Sequence, residues 1–260
     1  MTKTTRRLFA LICAAQLLFA AAFFFQWPWA TRLWPFAGTT PLTYILLAAF
    51  FAAAAASTWW PIFTRNDGAL AGVGLDYAVI LAPMAGYIAG LGLQGGGAGF
   101  YAAGAACLAG AIFGIWLFRR GRGLPLDTAL PMPALVRWSF VVFVVALLYA
   151  SGRLLLRIPT LPWPLTPELS TIAGCLFLGA AAYFVYGLLR PSWANAGGHL
   201  AGSLAYDLVL IVPLLTRLPA VDPQFRAALL VYIIVVVYSG LLAVYYLFVK
   251  RETRLRRTYR

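Results

Sequence analysis

The chain has 260 residues, 63% hydrophobic and only 10% charged, against about 45–50% apolar and about 25% charged in soluble domains, which excludes a water-soluble fold around one apolar core. A bilayer accepts this composition, because a helix satisfies its own backbone polar groups and about 20 apolar residues cross about 30 Å of hydrocarbon. The net charge of +13 does not point to nucleic acid, since the Lys and Arg fall between apolar runs and at the chain ends, where loops meet anionic headgroups.

In chain order, Lys3, Arg6 and Arg7 precede the first apolar run, 8–27. The run is too long for a secretory h-region, and the aromatic stretch after Ala20-Ala21-Ala22 is a poor cleavage site, so the segment reads as a retained span. Further spans are expected at 42–63, 69–93, 100–118, 134–151, 169–189, 200–218 and 227–249. The fifth has room to run on to Leu156, and the seventh carries Asp207 and Pro213. Eight spans with a cytoplasmic amino terminus leave only Arg32, Arg153, Arg157, Arg217 and Arg226 outside. The remaining Lys and Arg, among them Arg119, Arg120, Arg122 and the terminal Arg256, Arg257 and Arg260, are then cytoplasmic. The expected location is a plasma (inner) membrane with both termini in the cytoplasm. Two segments rich in Trp and Pro, 27–41 and 158–167, are expected at the outer headgroup layer, where they could cover a vestibule.

The halves repeat. At an offset of half the chain, Leu17-Leu18-Phe19-Ala20 meets Leu147-Leu148-Tyr149-Ala150, Pro61 meets Pro191, Leu70-Ala71-Gly72 meets Leu200-Ala201-Gly202, and Pro83 meets Pro213. Gly110 meets Gly240, and Leu117-Phe118 meets Leu247-Phe248; one residue out of frame, Trp34-Pro35 echoes Trp163-Pro164. The expected fold is therefore an all-α integral membrane protein of eight transmembrane helices. It is read as two parallel four-helix repeats, 1–130 and 131–260, related by a pseudo-two-fold axis along the membrane normal.

Asp76 and Asp207 lie inside spans, where an ionisable group is costly and marks a site for protons, cations or polar substrates. They occur as Asp76-Tyr77 and Tyr206-Asp207, so the repeat sets each acid opposite a tyrosine whose hydroxyl could donate to it. The competing reading makes the acids helix anchors paired with Arg65, Arg190 or His199. His199, the single histidine, is expected as a polar group at the start of the seventh span. Its solitude rules out two-His haem ligation and a His-rich metal cluster within the chain. Gly86-x-x-x-Gly90 and Gly110-x-x-x-Gly114 are expected to bring helices close. No Walker A, Gly-x-Ser-x-Gly or His-Glu-x-x-His sequence occurs, so no enzyme activity, cofactor or metal is expected. Cys13, Cys107 and Cys175 lie within apolar runs and are expected to stay free.

The site residues expected from sequence are thus Asp76, Asp207, Tyr77, Tyr206 and His199. They suit a small transporter or channel-like protein, the alternative being an accessory subunit that binds lipid or protein. Expected partners are the bilayer, anionic headgroups on the cytoplasmic side, and a membrane protein or a second copy, with no nucleic acid.

Overall fold

A computed structural model describes residues 2–254; Arg256, Arg257 and Arg260, expected among the cytoplasmic cations, lie outside the described residues. The described chain is all helical apart from its turns: α1 Lys3–Phe24, a short α2 Pro28–Leu33, α3 Pro41–Thr64, α4 Leu70–Leu91, α5 Ala98–Arg122, α6 Ala134–Leu155, α7 Pro167–Leu189, α8 Trp193–Arg217 and α9 Pro223–Val244. Eight of these, α2 excepted, are long and apolar enough to cross a membrane, so the chain is a multi-pass membrane protein embedded in lipid. The ends follow local rules. Proline opens α2, α3, α7 and α9, where its missing N–H costs nothing. Thr2 and Thr166 cap α1 and α7 by accepting from Thr5 N and Leu169 N, each at 3.2 Å. Arg65 ends α3 with a left-handed backbone, φ 58°.

Loop contacts define two ends of the bundle. At the proximal end, which holds the amino terminus and Lys250, Arg6 pairs with Asp67 at 3.1 Å. There Gly68 N donates to Pro125 O at 2.9 Å and Met132 N to Pro191 O at 2.9 Å. At the distal end Thr39 Oγ1 donates to Pro164 O at 2.5 Å, joining the two Trp-Pro segments.

The inner helices are α3, α4, α7 and α8, and the outer ones α1, α5, α6 and α9. The main contacts run α1–α3–α8–α9 in one row and α5–α4–α7–α6 in the other, so each row takes helices from both halves of the chain. Sequence neighbours α3 and α4 barely touch, and neither do α7 and α8. Glycines permit the close approaches. A Cβ at Gly74 would lie 2.4 Å from Phe118 N, at Gly114 2.7 Å from Ala78 N, and at Gly121 2.5 Å from Ala71 N, so α4 and α5 meet backbone to backbone. Gly110 also packs on α4, against Leu81, but no described residue lies within 4 Å of a Cβ at Gly86 or Gly90.

The seventh span differs from expectation at its start. Helix α8 begins at Trp193 rather than near Leu200, and its first two turns are buried. Asn195, Gly197, Gly198 and His199 dilute the apolar signal there, yet protein surrounds them. Trp60 of α3 lies over Gly197 and donates from its indole to Ala194 O at 3.0 Å.

Candidate functional site

Apolar clusters fill the distal and proximal ends, and a layer of polar residues lies between them, bridged by Leu147, which packs on a cluster of each end. On α4, Val73 belongs to a proximal cluster and Ile80 to a distal one, with Asp76 and Tyr77 between; on α8, Leu200 and Leu210 bracket Tyr206 and Asp207 in the same way. Asp76 lies six residues into α4, roughly 9 Å of helical rise.

Asp76 faces α7, where a Cβ on Gly179 would stand 2.9 Å from Asp76 Oδ1 and 2.1 Å from Ile80. The missing side chain at Gly179 makes the room in which that oxygen sits. Oδ1 is buried and has no hydrogen-bond partner among the described residues. Beside it, Gln16 of α1 donates from Nε2 to the Tyr77 hydroxyl oxygen at 2.7 Å, and the hydroxyls of Tyr77 and Thr58 of α3 share a hydrogen bond at 3.0 Å. Gln16 Oε1 is also buried without a donor. This corner of the layer therefore holds surplus acceptors, the chemistry that suits a proton or a small cation.

Asp207 is buried, 5% exposed, and takes one hydrogen bond, from Ser239 Oγ of α9 at 2.7 Å. Tyr206 bonds through its hydroxyl to that of Tyr232, also on α9, and its ring meets Phe50 of α3 edge-on. Neither tyrosine expected to serve an acid does so, because each hydroxyl is already engaged by a polar residue of a neighbouring helix. No hydrogen bond or ion pair joins Asp76 or Asp207 to Arg65, Arg190 or His199 among the described residues. The acids sit in separate clusters, Asp76 toward α7 and Asp207 toward α9.

His199 is 1% exposed, in the second turn of α8 rather than at an interface. Its Nδ1 lies 2.9 Å from Asn195 O and its Nε2 2.8 Å from Tyr183 O of α7. A neutral ring donates to only one of these carbonyls. The ring stacks on Tyr183 at 3.6 Å and 15°. His199 thus bridges α7 and α8, helices that otherwise scarcely meet. No group of three or more His, Cys, Asp or Glu arranged to hold a metal occurs among the described residues.

Gln16, Thr58, Tyr232 and Ser239 belong to the layer but are not singled out by the sequence reading. Gln16, Thr58 and Ser239 are polar residues inside apolar runs, and the signal that finds them is a register of every such residue rather than of the charged ones alone. Family models, curated proteins and solved structures were all compared with the chain, and none matches it.

Proposed function

We infer that the protein is a small transporter or channel-like protein whose polar layer takes a proton or small cation at Asp76, with Asp207 as a second acid at comparable depth. The observation that carries this reading is the Asp76 oxygen, packed against Gly179 and buried without a donor among the described residues. An anchoring acid would be paired with a cation, as Asp67 is with Arg6, and Asp76 is not. The charge distribution supports a cytoplasmic proximal end carrying both termini, with its arginines on anionic headgroups.

A duplication accounts for the packing. Exchanging α1 with α6, α3 with α7, α4 with α8 and α5 with α9 turns the α1–α3 contact into α6–α7, α4–α5 into α8–α9, and α3–α8 into α7–α4. Buried residues follow the same frame, Leu70 with Leu200, Ile80 with Leu210, Met84 with Leu214 and Leu117 with Leu247. Repeats 1–130 and 131–260, parallel about an axis along the membrane normal, would then be interleaved. The inner helices of each would pack on the other.

The test is ion flux. Purified protein in vesicles loaded with a pH-reporting dye, or in parallel with sodium- or potassium-reporting dyes, should pass at least one of these ions faster than empty vesicles. Asp76→Asn should reduce that flux about tenfold or more while helix content is unchanged, because Asn keeps size and hydrogen bonding but not charge. Wild-type vesicles no more permeable than empty ones to all three ions, or Asp76→Asn flux equal to wild type, would overturn the reading and favour an accessory subunit.

A further inference from the structure

We propose that the distal end carries a site for a phosphate-bearing anion in the cavity beneath the second Trp-Pro segment. The cavity has a volume of about 190 Å³ and is lined by Arg157, Ile158, Thr160, Trp163, Thr166 and Ser170 among others. Trp163 is 2% exposed, and its indole N–H has no hydrogen-bond partner among the described residues. A buried N–H without an acceptor is costly, so a group that accepts from it stabilises the site.

Several acceptors of the wall are taken: Ile158 O accepts from Thr160 Oγ1 at 2.8 Å, Pro159 O from Arg153 Nη2 at 2.9 Å, and Leu154 O from Ser170 Oγ at 2.7 Å. Pro164 O is held by Thr39, and Thr166 Oγ1 by Leu169 N. The donors left over are the Trp163 indole and the Arg157 guanidinium, which makes no hydrogen bond or ion pair among the described residues. Arg157 lines the cavity just beyond the end of α6, on a left-handed backbone with φ 59°.

Thr166, Pro167 and Ser170 bring the amino-terminal turn of the 23-residue α7 to the cavity wall, where Leu169 N and Ser170 N already donate to Thr166 and Pro167 has no N–H, so the anion is left to the side chains. Glu168 and Asp222, the acids nearest in sequence, do not line the cavity. A cation and an unpartnered indole N–H on the wall of one small space fit a phosphate oxygen, either a phospholipid phosphodiester or free inorganic phosphate. The volume suits a headgroup rather than a larger solute.

The experiment compares wild type with Arg157→Gln, at an exposed position that leaves the core intact, and with Trp163→Phe, which keeps the ring but removes the N–H. One arm counts phosphatidylglycerol and phosphatidylethanolamine molecules retained by the detergent-solubilised protein in native mass spectrometry. The other measures thermal stabilisation by inorganic phosphate against chloride at equal ionic strength. Retained phospholipid that drops about tenfold in both variants assigns the site to a headgroup, and phosphate-specific stabilisation lost in both assigns it to free phosphate. If Arg157→Gln, with helix content unchanged, retains lipid and responds to phosphate as wild type does, the proposal fails.

Discussion

Trp60→Ala should destabilise the protein by about 3–5 kcal/mol, the range for removing a buried Trp, and lower its thermal midpoint in mild detergent by roughly 10 °C. The ring is 5% exposed, meets Trp193 edge-on at 6.1 Å, and occupies the space left by Gly197, whose Cβ would fall 2.0 Å from Trp60 Cζ2. Its indole also holds Ala194 O on α8. Between helices in lipid the hydrophobic drive is weak, so this dispersion and hydrogen bonding carry much of the α3–α8 association. Trp60→Phe keeps most of the contact but loses the indole bond to Ala194 O, which retains its helical partner, and should cost about 1 kcal/mol. Circular dichroism during thermal unfolding reads both. A change under about 1 kcal/mol for Trp60→Ala would mean that this contact contributes little.

Gly74→Val should be as damaging. The new Cβ would meet Phe118 N at 2.4 Å, Gly114 O at 2.7 Å and Leu117 C at 2.9 Å, all backbone atoms that no rotamer change can clear. Helices α4 and α5 must separate, at a cost of about 3 kcal/mol, the upper part of the range for overpacking. Gly86→Ala is the control. Nothing lies within 4 Å of its Cβ, and Ala is the better helix former by about 1 kcal/mol, so stability should hold or rise. Equal effects of the two substitutions, measured by the same thermal unfolding, would contradict the α4–α5 geometry.

These two cases mark what could be read from the sequence. Hydrocarbon selects segments by composition alone, so all eight spans were legible from apolar runs. The start of α8 was not, because Asn195, Gly197, Gly198 and His199 are accommodated by Trp60 and Tyr183 from other helices, and no local rule anticipates such partners. The glycine spacing in 86–90 and 110–114 looked alike, yet only the second faces a helix, since spacing does not say what lies opposite. Pairing of α3 with α8 and of α4 with α7 rests on matched shapes such as Gly197 under Trp60 and Gly179 beside Ile80, invisible in one dimension. Asp76 and Asp207 were legible as intramembrane acids from their burial in apolar runs. Their surroundings were not: Ser239, rather than a tyrosine, holds Asp207, and Asp76 Oδ1 is left without a donor.

The central claim, that Asp76 takes a proton or cation inside the bundle, is tested most directly by a hydrophobic carbodiimide, which enters lipid and modifies carboxyl groups in their protonated form. Labelling mapped by peptide mass spectrometry across a pH series and against sodium, potassium, magnesium and calcium at fixed ionic strength reports the occupancy of the site. The account predicts modification at Asp76 that falls as pH rises and is suppressed about fivefold or more by the ion the site accepts, if that ion is not the proton itself. Labelling of Asp76 that is unchanged by pH and by every one of these cations would contradict it.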